Sequence, residues 1–371
     1  MAQPASAEAP PAGPAQRVRD DVPGLQQERR NEMPNRKHKH LRTMMKAALA
    51  SVVLAGSSMA ASAQSYNFRL SNLYPENHPM CVQTHNFAKF VEEGTDGDVQ
   101  VEVFCNNQLG NEREASEAVR RGSLEMVMSG GGGLGRFIQE LYMLELPFLY
   151  PETRDINTVT WALVDDINAL ANDRGYEILG FGYEGPRSIN SVESFNTLEE
   201  LQNYKLRIPE APLYVGMARA LGAVPTPTAF TEAYTSLQTG VADGMESGPS
   251  TTYNNKFFEV APYYVQTEHI VNPCYLAINL DLFESLPEEY QEVLRGAGRR
   301  STDIMLEDVL ASNEEVMNTM KEQGLTVVEL APGEAEKFRE TLKPFSEEFA
   351  QSIGADAVDL LNGIREVLDA Q

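Results

Sequence analysis

From Tyr66 onward the chain alternates short apolar runs with helical stretches of about a dozen residues, and this alternation constrains its fold more than any other feature. Strands are expected at 66–70, 99–104 and 124–128, with helices at 80–93 and 112–121 between them. Such a pattern gives parallel βαβ units, because each helix carries the chain back across the sheet and covers its apolar face. In the first helix Phe87, Phe90 and Val91 recur at helical spacing and are expected to face the sheet. A second alternating block begins near Tyr176. It holds a strand to Phe181, the segment Arg187-Ser188-Ile189-Asn190, a helix at 197–203, a strand at 205–208, and helices at 213–221 and 231–238. Two α/β blocks imply two lobes. Open α/β sheets bind ligands outside the carboxyl ends of their strands, so two lobes facing each other enclose a cleft.

Between Pro287 and Gly324, apolar residues such as Tyr290, Leu294, Val309 and Met320 recur at three- and four-residue intervals, the pattern of one long helix or two. Pro287 suits the first turn, Gly324 suits the stop, and Gly296 and Gly298 mark an expected bend. At about 1.5 Å per residue such a helix is long enough to cross both lobes. The expected division gives 64–184 with 273–312 to lobe I and 185–272 with 313–371 to lobe II, both α/β.

Residues 1–63 stand outside the alternation. Met44-Met45-Lys46 precedes an apolar run at 47–60 that is too short to span a bilayer, and Ala61-Ser62-Ala63 places small residues before a cut. A basic start, a short apolar run and small residues, in that order, form a signal peptide, with cleavage expected between Ala63 and Gln64 and a periplasmic mature chain. Upstream, 1–43 is rich in Ala, Pro, Arg and Gln without apolar periodicity, and reads as a disordered extension or an overlong start. The first 63 residues hold 5 of the 54 acidic and 9 of the 30 basic residues, so the other 308 carry 49 against 21, a formal net charge of −28. That field disfavours nucleic acid and an anionic membrane surface, and any anion site must be a local basic exception to it.

Cys81, Cys105 and Cys274 follow the cut. If Cys81 opens the helix after the first strand and Cys105 closes the second strand of a parallel βαβ unit, both lie at one edge of the sheet and can pair in an oxidising compartment. Three unpaired thiols are the alternative, and an odd count leaves at least one thiol over in either case.

Gly130-Gly131-Gly132-Gly133-Leu134-Gly135 fits the spacing of a dinucleotide loop after an apolar strand. The chain then runs to Pro147 without the second strand and acidic residue that a ribose contact requires. A glycine-rich strand end whose backbone approaches a ligand or the opposite lobe is the better reading. His78, Cys81 and His85 could share a helix face but lack a fourth ligand and a recognised spacing, so neither a metal nor another cofactor is assigned. No histidine after the cut stands beside a Ser or Cys in a triad-like setting, so no catalytic residue is nominated and the chain is read as a binding protein, not an enzyme. One cation stands out. Lys205-Leu206-Arg207-Ile208-Pro209 puts an arginine in a short apolar strand whose exit faces the cleft. A buried guanidinium is costly unless an anion meets it, and its planar fork matches a carboxylate. On spacing alone, a ligand carboxylate and an internal glutamate answer that requirement equally well.

Around these residues the chain resembles the solute receptors of tripartite ATP-independent periplasmic (TRAP) transporters, of the dicarboxylate-receptor type. The resemblance covers essentially all of the mature chain. It rests on Gln108-Leu109-Gly110, Leu146-Pro147-Phe148-Leu149 and Leu206-Arg207-Ile208-Pro209. Most specific is the block from Leu221-Gly222-Ala223 and Pro225 through Phe230-Thr231-Glu232-Ala233-Tyr234 and Leu237-Gln238-Thr239-Gly240 to Asp243-Gly244-Met245-Glu246. The resemblance implies a two-lobed, class II-like periplasmic binding protein with a hinge and a long helix spanning both lobes. It implies a small organic acid as ligand, the small and large TRAP membrane subunits as partners, uptake driven by an ion gradient, and a monomer or homodimer. It also implies that Arg207 holds the ligand's carboxylate, that Arg187 in Gly185-Pro186-Arg187 assists it, and that Phe230 packs on the ligand. Ser247, directly after Glu246, stands where many members have an asparagine that bonds the carboxylate, and Glu246 is included in the site beside it. Asn72 matches another ligand-facing position, with Tyr74 close by, and the glycines from Gly130 replace the charged groups of sialic-acid receptors. The competing readings are a periplasmic enzyme and the receptor of an ABC importer, each using the same cleft.

Overall fold

The computed structural model describes residues 65–371; the signal peptide, its cut and the extension at 1–43 lie outside the described residues. β1 (Tyr66–Asn72), α1 (Pro79–Gly94), β2 (Val99–Phe104), α2 (Glu112–Arg120) and β3 (Met126–Ser129) form a parallel βαβαβ unit. Pro79 occupies the first turn of α1, where a missing N–H costs nothing, and the His78 ring accepts the Met80 N–H. Asn111 and Glu114 close a capping box at the start of α2. Phe87 and Val91 are buried in the core, and Phe90 packs partly buried beside them with the Arg300 guanidinium over its ring.

Two helices, α3 (Asp155–Ala162) and α4 (Val164–Asn172), lead into β4 (Tyr176–Ser191), so the expected strand to Phe181 and the segment at 187–190 are one strand. The second block contains β5 (Lys205–Ile208), α5 (Pro212–Ala220), β6 (Val224–Pro227), α6 (Ala233–Gln238) and β7 (Gly244–Ser247), followed by α7 (Pro249–Asn254). The helix expected at 197–203 shrinks to a 3-10 turn at Glu199–Leu201. Asn203 takes a left-handed backbone (φ 65°), and Glu200 accepts the N–H groups of Asn196 and Thr197. The chain then runs through β8 (Tyr263–Asn279), α8 (Leu280–Glu284), α9 (Glu288–Glu322), β9 (Thr326–Val328), α10 (Glu334–Ile353) and α11 (Ala355–Asp369).

All nine strands join one sheet in the order β2-β1-β3-β8-β4-β7-β5-β6, with β9 on β8. The antiparallel pair β4 and β8 is long enough to serve both blocks: β8 meets β3 at 275–278 and β9 at 263–265, while β4 meets β7 at 188–191. Their mutual register slips between Tyr183 and Pro186, where Pro273 and Val271 are the respective partners. Neither proline can donate to the ladder, and Gly185 takes φ 79°, so the ladder is interrupted where the sheet passes from one block to the other.

Across this passage lies α9, which packs on β4, on α1 of the first block and on α7 of the second. It runs unbroken through Gly296 and Gly298, where the sequence reading expects a bend. Gly298 instead permits contact, since a Cβ there would lie 1.9 Å from the Leu179 carbonyl oxygen of β4. At the C-terminus α11 packs on α3 and on the 3-10 stretch Gln139–Glu145, so the end of the expected lobe II, 313–371, lies on the first block. Cys81 and Cys105 are joined by a disulfide with Cα atoms 6.1 Å apart, and Cys274 is a buried free thiol. A bridge across 24 residues stabilises by about 3 kcal/mol in the chain-entropy account. Among the described residues, no helix is long and apolar enough to cross a membrane.

Candidate functional site

A cavity opens at the carboxyl ends of the parallel strands β1, β2, β3, β5 and β6, with Glu184 and Arg187 of β4 in its floor. β5 places Arg207 in its wall at 2% exposure. The Arg207 Nε donates to Thr228 Oγ1 at 3.3 Å and its Nη2 to the Thr228 carbonyl oxygen at 2.6 Å. Thr228 directly follows β6, the parallel neighbour of β5, so strand pairing alone brings this partner into place. These bonds occupy the Nε–Nη2 edge of the guanidinium. Its Nη1–Nη2 edge has no acceptor and no carboxylate partner among the described residues. Burial pushes the Arg207 pKa down to about 10, which keeps the group charged at neutral pH. Phe230 lies with its ring centre 6.0 Å from the guanidinium carbon, and Tyr74 meets Phe230 edge-on at 6.1 Å.

Arg187 lines the same cavity in a different state. Its Nη1 donates to Glu184 Oε2 at 2.5 Å and to Asn272 Oδ1 at 3.3 Å, its Nη2 to the Glu246 carbonyl oxygen at 3.1 Å, and its Nε to the Glu246 carboxylate. Four of its five N–H bonds are thereby taken. Burial works against its charge, but Glu246 and Glu184 outweigh burial and hold its pKa well above the ordinary value. The internal ion pair that spacing left open for Arg207 is thus realised at Arg187.

Tyr74 and Gly130 also line the cavity, whereas Asn72, Glu246 and Ser247 stand behind its wall. Glu246 is buried against Arg187. Ser247 accepts from Asn190 Nδ2 at 2.7 Å and bonds the Thr252 hydroxyl at 2.9 Å, because pairing of β7 with β4 turns its side chain into the interior. Asn72 donates to the Met80 carbonyl oxygen and accepts the Tyr74 N–H at 2.9 Å, which turns the chain so that Tyr74 reaches the cavity. The Tyr74 hydroxyl donates to Glu184 Oε1 at 2.5 Å, and Thr251 donates to the same oxygen at 2.8 Å. His78 stacks on Tyr74 at 4.1 Å and bonds Thr251 at 3.1 Å; burial pushes its pKa down to about 4, so it is neutral.

At 131 and 132 a side chain would have to displace a carboxylate. A Cβ on Gly131 would lie 2.5 Å from both carboxylate oxygens of Glu145, and one on Gly132 would lie 2.6 Å from Glu112 Oε2 and 3.7 Å from Pro209 Cβ. Pro209 follows β5, so the glycine-rich strand end does approach the opposite block. Sequence reasoning missed Glu112, Glu184, Thr228 and Glu145. The signal for Glu112 was its place two residues after Gln108-Leu109-Gly110, and that for Glu184 its place directly before Gly185-Pro186-Arg187. Glu112 Oε1 accepts the Gly130 N–H at 2.6 Å and the Ser129 hydroxyl at 3.3 Å; burial raises its pKa and the Gly130 N–H partly offsets this. Glu145 accepts the Tyr214 hydroxyl at 2.7 Å on one oxygen, has no partner on the other, and is pushed up to about 8 by burial.

His78 therefore caps and stacks, outside any metal-like set. Glu76, Cys81, His85 and Cys105 bring ligand atoms within 4.8 Å of one another, but both sulfurs belong to the disulfide. What the arrangement can do is hold an anion: a buried guanidinium edge, walled by aromatic rings, points into a cavity between two blocks.

The family model for bacterial extracellular solute-binding protein, family 7, matches residues 70–352. The 2,3-diketo-L-gulonate-binding periplasmic protein YiaO of Escherichia coli is 27% identical over 290 residues, covering 78% of this chain and 88% of that protein. The C4-dicarboxylate-binding periplasmic protein DctP of Rhodobacter capsulatus is 28% identical over 310 residues, covering 81% and 91%. A TRAP periplasmic solute-binding protein of Sulfitobacter sp. NAS-14.1, solved with bound β-D-galacturonate, is similar with a TM-score of 0.74 at 29% identity, covering 81% of this chain and 99% of that one.

Proposed function

Because this chain belongs to the bacterial extracellular solute-binding proteins of family 7, we propose that it is a TRAP receptor that captures a small organic carboxylate on Arg207 and delivers it to the small and large membrane subunits. The observation that carries this reading is the Nη1–Nη2 edge of a 2% exposed arginine, turned to a cavity with no internal carboxylate against it. Diketogulonate, C4-dicarboxylates and galacturonate, the ligands of the three relatives, share only the carboxylate that this edge fits. Arg187, neutralised by Glu184 and Glu246, assists by holding the wall beside the anchor in place, Phe230 and Tyr74 close over the ligand, and Gly130 lets the backbone approach. The chain does no chemistry on its ligand.

In this reading the mature protein begins at Gln64 in the periplasm and is built of two lobes, 64–184 with 273–312 and 185–272 with most of 313–371. The lobes close about Gly185-Pro186 and Pro273 while α9 flexes. Closure removes water from the Arg207 pair and so strengthens it, and the ligand favours closure through contacts made in that state alone. Calorimetry on Arg207→Lys tests the reading. Lysine keeps the charge and loses the fork, so carboxylate affinity is expected to fall tenfold or more. Unchanged affinity would remove Arg207 from the site.

A further inference from the structure

Before any ligand enters, the buried positive charge of the cavity wall is already matched by carboxylates. Arg187 is met by two carboxylates, those of Glu184 and Glu246, which leaves the trio one negative charge in surplus. Arg207 offsets that surplus, and the half-buried Glu112 adds a further carboxyl group, whose charged form burial disfavours, but no cation. At the rim Arg113 and Glu210 are exposed and opposite in sign. The Arg207 edge is therefore the only buried cationic edge left over among the described lining residues, and it suffices for one carboxylate.

Glu112 presents the complementary feature. Its Oε1 is taken by the Gly130 N–H and the Ser129 hydroxyl. Its Oε2 accepts no hydrogen bond from the described residues and lies against Gly132, at the point where that strand end faces Pro209. Pro209 is two residues past Arg207, so the unpartnered oxygen looks across the cavity towards the strand that carries the anchor. A second ligand carboxylate brought there would meet a like charge in a partly desolvated wall. A hydroxyl or an ammonium would find an acceptor already held in place by two bonds.

We propose that Glu112 determines specificity: the site admits a single carboxylate, on Arg207, and requires a hydrogen-bond donor at the other end of the ligand. The ligand class is then a hydroxylated or zwitterionic monocarboxylate, and dicarboxylates are rejected. This deepens the reading of Arg207 as anchor and rests on it.

The test is calorimetry of the mature chain with D-gluconate, ectoine and succinate, repeated on Glu112→Gln and Arg207→Lys. The wild type is expected to bind at least one of the two monocarboxylates about tenfold or more tighter than succinate. Glu112→Gln should lose about tenfold for that ligand and gain for succinate, closing the gap, with the larger loss for ectoine if the donor is a cationic N–H such as its ring amidinium. Gln retains the oxygen that accepts the Gly130 N–H, and the wild-type selectivity stands as a test even if this variant fails to fold. Succinate binding as tightly as both monocarboxylates, or selectivity unchanged in Glu112→Gln, overturns the role of Glu112 while leaving Arg207 as anchor. Arg207→Lys without effect on any affinity overturns the anchor instead. Binding of none of the three probes counts against both.

Discussion

Arg187 and Arg207 are both buried, yet their guanidinium groups are satisfied in different ways, and stability measurements should separate them. Removing Arg187 leaves Glu184 and Glu246 as two uncompensated carboxylates in the interior. Loss of one partner of a buried ion pair costs about 3–5 kcal/mol, so Arg187→Ala is expected to lower the urea midpoint steeply. Arg207 has no carboxylate partner, so Arg207→Ala removes an unpaired desolvated charge and should leave the ligand-free protein as stable as before or more so. Equal losses in the two variants would mean that Arg207 is a structural residue. The resemblance gave Arg207 the carboxylate and Arg187 an assisting role, but spacing alone left the internal ion pair open, because which arginine is neutralised depends on acids that lie 3 and 59 residues from Arg187 in the chain.

At the scale of elements, periodicity served well wherever an element had one face in the core. α1, α2 and α5 fall within a residue or two of their expected bounds, and β2 and β5 match theirs. Local patterning failed at 197–203, where side chain to backbone bonds displaced a helix, and at β4, where a bulged strand read as two pieces. It also misread the role of two glycines. Gly298 faces the Leu179 carbonyl oxygen rather than bending α9, and that contact can only be seen from the partner strand. Gly298→Ala must therefore push the helix off β4, with an expected cost of about 1–3 kcal/mol from overpacking. Gly296 has no atom near its Cβ position, and Gly296→Ala should be neutral or slightly stabilising. Thermal melts of the two variants would decide: similar shifts would refute the packing role of Gly298.

On the scale of the whole molecule, a hydrogen bond from Tyr214 of the second block to Glu145 of the first links the two blocks behind the cavity wall. The Glu145 carboxyl ionises near 4.5 when unfolded and near 8 in the folded protein, because burial disfavours its charged form. The folded state thus keeps a proton that the unfolded chain has lost. The stability this group confers is complete below pH 4.5 and declines as pH rises to about 8, by about 1.4 kcal/mol per pH unit. Glu145→Gln cannot ionise, so the difference in unfolding free energy between wild type and variant should slope with pH across that window and flatten above it. Parallel curves would show that Glu145 does not set the slope.

What the sequence determined by itself is the part of the protein written in local order: alternating strand and helix periods, the long helix, and the motif that places an arginine in a buried strand. Those features follow from which faces are apolar, and a period of 2 or 3.6 residues records that directly. Which arginine keeps an open edge, that Ser247 and Glu246 stand behind the wall, and that Glu112 lines the cavity at the Gly130 turn were decided only by the tertiary structure. Charge pairing and orientation depend on groups brought together from distant positions, such as Glu112 against Gly130 and Tyr74 against Glu184. No local period records such distances.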